Sequence, residues 1–222
     1  MPQAYHQVQF RAPPGSTQVI LVRHGASAPA VEGEPFPTLD GHGDPPLAPE
    51  GEAQAEAVAT RLAAEPIDRL FFTGLRRTAQ TAAPLARRLN LEPVEIPELR
   101  EIYLGEWEAG EFRIRMRQGD PIAMQTIAEE RWDVIPGAES METFGRRVAA
   151  GFTKVVAATG PDASAVAFVH GGIIGELARQ ATASRPFAFV HADNASITRL
   201  VVLPGGRQLL HRFNDATHLE RK

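Results

Sequence analysis

The chain has 222 residues, of which 43% are hydrophobic and 23% are charged, and its formal net charge is −4. This length and composition are typical of a globular protein with a substantial core, and they exclude a disordered tail or a fibre. No stretch approaches the ~20 consecutive apolar residues of a membrane span, and the slight negative charge argues against nucleic acid or an anionic membrane as a partner. Cysteine is absent, which excludes disulfides, thiolate nucleophiles and cysteine-ligated zinc.

The first residues lack the basic region and apolar core of a signal peptide, so we expect a cytoplasmic protein. We expect residues 1–17 to form a loose N-terminal arm and residues 18–222 to form a single domain. Six prolines between positions 29 and 49 predict a long loop, which could cover a site or simply be solvated.

Strands and helices are predicted to alternate along the chain. Short apolar runs favour buried strands, and segments with one apolar face favour amphipathic helices. The predicted strands are 19–22, 70–72, 165–169 and a closing hairpin of 197–203 and 208–213. The predicted helices are 50–64, 75–89 (kinked or divided at Pro84), 111–118, 121–130, a helix through 158 with Ser140 as its N-cap, and 172–180. This order predicts an α/β fold, a three-layer α/β/α sandwich with a mainly parallel central sheet.

Two of the predicted strands lead into a histidine followed by a glycine. Arg23-His24-Gly25 follows the first strand, and His170-Gly171 follows the third. In such sheets, ligands bind beyond the carboxyl ends of the strands, and the amides at the start of a following helix favour an anion. We therefore expect both histidines to lie at an anion-binding edge of the sheet.

The distribution of cations indicates how a phosphate would be bound. The only lysines, Lys154 and Lys222, do not belong to the Gly-Lys-Ser/Thr triplet of a phosphate loop. Arg76 and Arg77 fall in the first turn of a predicted helix, where the helix dipole disfavours a cation unless an anion is present. We expect Arg77 to bind phosphate and Arg76 to be solvated.

Other charged and titratable residues give weaker signals. Arg113, Arg115 and Arg117 alternate along one predicted helix, and we expect a solvated face, although contact with a second anionic group of a substrate stays open. We expect His191, His211 and His218 to be structural. A last segment, residues 99–108, contains several carboxylates, among them Glu101.

Together these segments resemble the histidine phosphatase superfamily, the phosphoglycerate mutase-like fold, in its short bacterial phosphatase branch. The resemblance extends from about Val19 to Leu219. Its motifs match Arg23-His24-Gly25, residues 73–82 with Arg77, Glu101 ahead of Gly105 and Trp107, residues 136–140, His170-Gly171, residues 194–196 and residues 214–219. The chain departs from the family pattern at Ala26, Ser27 and Ala30, at Thr73 and Thr78, and at an additional Ala109. None of these departures removes a catalytic group.

The resemblance implies a metal-independent phosphatase that needs no cofactor and hydrolyses small phosphomonoesters through a phosphohistidine. It also implies a helical cap over the site at residues 105–138. The implied catalytic residues are His24 as nucleophile, Glu101 as proton donor and then activator of water, and His170; the implied phosphate-binding residues are Arg23, Arg77 and Gly171; and Ser27 and Asn194 are candidate substrate contacts.

Two alternatives stay open at this stage. A mutase of the phosphoglycerate mutase type would use the same His24 but return the phosphoryl group to its substrate, and a non-catalytic module would only bind phosphate. This chain resembles the compact phosphatases of the family more than its mutases, which are longer and have further basic segments. The resemblance therefore favours the phosphatase. The expected partner is a small phosphorylated metabolite, with no nucleic acid and no membrane, and the chain is expected to be a monomer or a homodimer.

Overall fold

The apolar runs of the sequence become the strands of a central sheet in the computed structural model of the protein, which describes residues 3–220. The strands are β1 (Thr17–Arg23), β2 (Thr38–Leu39), β3 (His42–Gly43), β4 (Arg69–Phe72), β5 (Val94–Glu95), β6 (Ser164–Val169), β7 (Ile197–Val202) and β8 (Gln208–Asp215). The helices are α1 (Pro49–Leu62), α2 (Arg76–Leu89), α3 (Glu111–Gln118), α4 (Pro121–Glu129), α5 (Met141–Thr159) and α6 (Gly171–Thr182), with 3₁₀ turns at Pro97–Leu99, Gly105–Trp107 and Thr217–Leu219.

Within the described residues, one six-stranded sheet has the order β5-β4-β6-β1-β7-β8. The first four of these strands are parallel to one another, whereas β7 is antiparallel to both β1 and β8. In the register of β1 and β6, Arg23 is opposite Val169. The residues that follow these two strands, His24 and His170, therefore emerge side by side at one edge of the sheet.

Each face of the sheet is covered by a separate apolar core. Alternate residues of β6 point to opposite sides: Ala165 and Ala167 join a core with α5 and α6, and Val166 and Phe168 join a core with α1 and α2. All six residues of β6 are buried, and its apolar run from Ala165 to Val169 is typical of a strand that is covered on both faces. The predicted three-layer α/β/α sandwich with a mainly parallel sheet is confirmed.

The predicted helices and strands are present, with ends shifted by one or two residues. Pro84 does not divide α2, which continues through it to Leu89. Proline removes one backbone donor, but the buried face of this helix, which includes Thr81 and Leu85, packs into the core and offsets that loss. The strands β2, β3 and β5 were not predicted, because segments of two residues have no periodicity.

Two further features concern the N-terminal segment and the character of the helices. Residues 3–13 have no regular secondary structure and are largely exposed, and the first strand begins at Thr17; that residues 1–17 form an arm stays a prediction. Of the helices in residues 3–220, none combines the length and apolar character needed to cross a membrane.

Candidate active site

A cavity of about 450 Å³ opens where β1 and β6 end. Arg23 and His24 enter it from the end of β1, and Gly171 and Gly172 enter it from the start of α6. Arg77, from the first turn of α2, and Glu101, from the loop after the 3₁₀ turn at Pro97–Leu99, complete this inner end. The sheet edge predicted to bind an anion is thus the floor of the cavity.

His24 is held in a defined tautomer. Its Nδ1 lies 2.8 Å from the carbonyl oxygen of Gly25, and because a carbonyl can only accept, Nδ1 carries the proton. Burial is the main cause that lowers the pKa of His24 well below its usual value, and the charges of Arg77 and Arg23 lower it further. The side chain is therefore neutral near pH 7, with an unprotonated Nε2.

The ring of His170 packs against the ring of His24. The two rings meet edge to face with their centroids 5.2 Å apart, and His170 is fully buried. Its Nε2 is 2.9 Å from the hydroxyl of Thr73, whereas its Nδ1 has no hydrogen-bond partner among the described residues. Burial, followed by the charge of Arg77, lowers the pKa of His170 well below its usual value.

Arg23 and Arg77 bring two desolvated cations to the inner end of the cavity. Both guanidinium groups bind carbonyl oxygens rather than carboxylates: Arg23 donates to Ala192, and Arg77 donates to Gly43 over 2.8 Å. The Nε of Arg23 is buried and has no partner within residues 3–220. Burial lowers the pKa of Arg77 to about 10, so it stays protonated at neutral pH. Cations without a paired carboxylate favour a multiply charged anionic ligand.

Glu101 is positioned by backbone amides on both sides. One carboxylate oxygen accepts from the N–H of Ile102 (3.0 Å) and the other from the N–H of Gly172 (3.1 Å). A Cβ at Gly172 would overlap the carboxylate of Glu101, so a larger residue there would push this side chain out of its observed position. Arg147 on α5 also donates to the carbonyls of Arg100 (2.9 Å) and Glu101 (3.3 Å). These contacts fix the carboxylate in the cavity wall.

Arg113, for which the sequence predicts a solvated face, is both exposed and part of the cavity wall. It donates to the hydroxyl of Ser27 (2.7 Å) and to the carbonyl of Ala28 (2.9 Å), and its guanidinium lies over the ring of Phe36. Arg113 is thus a third cation at the cavity. The expected exposure of Arg76 is confirmed.

The candidate substrate contacts form hydrogen bonds with other protein groups. The hydroxyl of Ser27 accepts from Arg113, and the side-chain amide of Asn194 donates to the carbonyl of His24 over 3.0 Å. Direct contact of either residue with a substrate stays a prediction. His191, expected to be structural, lies in the cavity wall.

The proline-rich loop contributes to the site in a way that the sequence did not indicate. The carbonyl of Gly43 accepts from Arg77, and the carboxylate of Asp44 accepts from the backbone N–H of Arg76 over 2.7 Å. Asp44 thereby caps the start of α2 and offers a negative charge to its positive end. This segment of the loop therefore holds the phosphate-binding candidate in place.

Chemically, the inner end of the cavity combines a neutral imidazole, guanidinium groups that bind carbonyl oxygens, and a fixed carboxyl group that donates a proton when it is protonated and accepts one when it is ionised. This set can bind a dianion, attack it with a nitrogen nucleophile and transfer a proton to a leaving group. Within residues 3–220, no three His, Asp or Glu side chains cluster in a way that could hold a metal ion.

Comparison with known proteins gives consistent matches. Residues 19–216 match the model of the histidine phosphatase superfamily (branch 1). The protein named "Probable phosphoglycerate mutase GpmB" from Yersinia enterocolitica is 34% identical over 133 residues, 60% of each chain. The adenosylcobalamin/alpha-ribazole phosphatase of Salmonella typhimurium is 30% identical over 129 residues, 58% of this chain and 61% of that protein. The matched part thus spans about 60% of the length of these curated relatives.

Solved structures share the fold over most of the chain. A mycobacterial glucosyl-3-phosphoglycerate phosphatase superposes with a TM-score of 0.75 at 25% identity, and the match covers 90% of this chain and 100% of that one.

Proposed function

Because the chain belongs to the histidine phosphatase superfamily (branch 1), we propose that it is a metal-independent phosphatase that hydrolyses small phosphomonoesters through a phosphohistidine. The observation that carries the proposal is that a neutral His24, with its Nδ1 bound to Gly25, lies beside Arg23 and Arg77, which bind carbonyl oxygens and, within residues 3–220, no carboxylate. We place the substrate among the phosphorylated metabolites of the cytoplasm.

In the first step, Nε2 of His24 attacks the phosphorus atom. The bond from phosphorus to the ester oxygen breaks, its electron pair stays on that oxygen, and Glu101 supplies the proton that makes the product an alcohol. Arg23 and Arg77 neutralise the charge on the non-bridging oxygens, which is the main electrostatic requirement of phosphoryl transfer.

In the second step, water replaces the alcohol. Glu101, now a carboxylate, takes a proton from the water as its oxygen attacks phosphorus, and the phosphorus–nitrogen bond breaks toward His24. Inorganic phosphate leaves, and both His24 and Glu101 return to their starting states. The amides of Ile102 and Gly172 keep the carboxylate in one place through both steps.

The test measures phosphate release from an aryl phosphate with and without a chelator. We expect unchanged turnover with the chelator, loss of turnover in His24→Ala, and normal turnover in His211→Ala, which removes an exposed histidine. A quenched reaction should contain phosphoprotein that is labile in acid and stable in alkali, as expected of a phosphorus–nitrogen bond.

Three other outcomes would contradict the proposal, each in a different way. Transfer of the phosphoryl group back to a phosphoglycerate, without release of phosphate, would identify a mutase. Binding of phosphate by a protein that forms no phosphohistidine would identify a non-catalytic module. Activity that the chelator removes and added metal restores would exclude the metal-independent mechanism.

A further inference from the structure

Large apolar side chains line the cavity in addition to the cationic groups at its inner end. We define the outer wall as the six side chains Phe36, Trp107, Phe112, Met116, Ile127 and Trp132, which all line the cavity. None of them belongs to the proposed phosphoryl-transfer groups. A volume of about 450 Å³ also exceeds what a phosphate alone would fill, so the outer wall faces the rest of the substrate.

The outer wall is a packed aromatic surface. Phe112 and Met116 lie one turn apart on α3 and so share a face of that helix. The ring of Phe112 packs against Trp107 at 6.3 Å and against Trp132 at 5.8 Å between centroids. Ring-to-ring packing of this kind holds the wall in place, so it offers a preformed apolar surface to a ligand.

The carboxylates of Glu108 and Asp193, which also line the cavity, accept hydrogen bonds from other groups of the protein. One oxygen of Glu108 accepts from the N–H of Leu104 (2.9 Å) and the other from the N–H of Gly43 (2.8 Å). Asp193 accepts from the side-chain amide of Asn214 over 2.8 Å. A sugar or polyol needs several convergent hydrogen-bonding groups, and a buried hydroxyl without a partner is costly. The six apolar side chains of the outer wall offer little hydrogen bonding of this kind, so they favour an apolar leaving group, although the polar side chains of His42 and His191 also line the cavity.

We propose that the substrates are phosphomonoesters of apolar alcohols, with the alkyl or aryl part of the alcohol packed against the outer wall. This inference rests on the proposed phosphatase function and adds the class of leaving group to it. The rival class is a leaving group with a second negative charge, which Arg113 at the cavity would attract.

The test compares esters whose leaving groups have nearly the same chemistry. In the series from methyl to hexyl phosphate, the scissile bond is alike and only the apolar area changes. We expect kcat/KM to rise about fourfold for each methylene that becomes buried, until the wall is filled. Propyl phosphate, glycerol 3-phosphate and 3-phosphoglycerate form a three-carbon set, of which propyl phosphate should be the best substrate.

Two methionines of neighbouring helices provide a matched pair of variants. Met116 lines the cavity, whereas Met124 on α4 is 59% exposed and is not among the outer-wall residues. Met116→Gln should flatten the rise across the alkyl series, and Met124→Gln should keep it. Should Met116→Gln fold poorly, Ile127→Gln tests the same wall, because Ile127 is 42% exposed and its replacement leaves the core intact.

The possible failures can be told apart. Phosphate release from all esters with a flat alkyl series, or a preference for 3-phosphoglycerate over propyl phosphate, would overturn the apolar-alcohol proposal and leave the phosphatase standing. An equal slope in wild type, Met116→Gln and Ile127→Gln would overturn the role of the outer wall. No release from any ester would overturn the phosphatase proposal and this inference with it.

Discussion

The hydroxyl of Thr73 lies 2.9 Å from Nε2 of His170, and both side chains are fully buried. Thr73 is also 3.1 Å from the hydroxyl of Thr78, which in turn donates to the carbonyl of Leu75 over 2.7 Å. Thr78 has thus used its only proton and can act toward Thr73 only as an acceptor. A buried polar chain therefore runs from the start of α2 to the second histidine of the site.

Removing the Thr73 hydroxyl should test what this chain contributes. In Thr73→Val, Nε2 of His170 is left buried without a partner, so we expect a loss of about 1–3 kcal/mol in the free energy of unfolding. We also expect kcat/KM to fall, because His170 is no longer oriented. Thr73→Ser keeps the hydroxyl and is the control, which should stay near wild type in urea unfolding and in turnover. Equal stability and turnover of Thr73→Val and wild type would show that the chain is dispensable.

The lowered pKa values of His24 and His170 predict how stability depends on pH. In the unfolded chain both side chains titrate at about 6.5, and in the folded protein burial, as the main cause, lowers both pKa values well below this. At pH values between the folded and the unfolded pKa, the unfolded state binds more protons than the folded state. The contribution of the two neutral histidines to the free energy of unfolding is therefore complete above pH ~6.5 and is lost as the pH falls below this value.

Urea unfolding at several pH values between 7.5 and 5 measures this dependence. His24→Gln removes one of the two groups and should make the slope below pH ~6.5 shallower. His211→Gln removes an exposed histidine instead and should keep the slope. A slope unaffected by His24→Gln would contradict the assignment of a depressed pKa to His24.

The sequence predicted those parts of the fold and site that depend on local pattern. The buried run before His170 and the apolar run before His24 predicted two strands, and the parallel topology then placed the two histidines at one edge. Arg77 could also be singled out, because a cation in the first turn of a helix is unfavourable by itself.

The contacts that position these groups could not be predicted in this way. Asp44 reaches Arg76 across 32 positions of the chain, and Arg147 reaches the carbonyl of Glu101 across 46. No periodicity links such partners, since each pairing follows from how the elements pack. For the same reason, the sequence did not show that Arg113 would lie at the cavity.

The proton donor can be identified by its dependence on the leaving group. An alkyl alcohol needs a proton in the transition state, whereas nitrophenolate leaves with little help. We therefore expect Glu101→Gln to slow phosphorylation of the enzyme by an alkyl phosphate by about 10²–10⁴-fold, and by nitrophenyl phosphate far less. Single-turnover kinetics isolates this step from the later attack of water. Glu106→Gln changes an exposed carboxylate nearby and should leave both rates unaltered; equal losses for the two esters in Glu101→Gln would exclude it as the acid.

Gly172→Ala should reproduce part of this effect without removing the carboxylate. The new Cβ would overlap the carboxylate of Glu101, which must then move away from the N–H of Gly172. We expect kcat/KM for alkyl phosphates to fall by at least about tenfold, since the proton donor is displaced, with a smaller loss for nitrophenyl phosphate. The double variant Glu101→Gln with Gly172→Ala should be little slower than Glu101→Gln alone, because both changes act on the same group. Independent, multiplicative losses in this double-mutant cycle would mean that Gly172 acts through something other than Glu101.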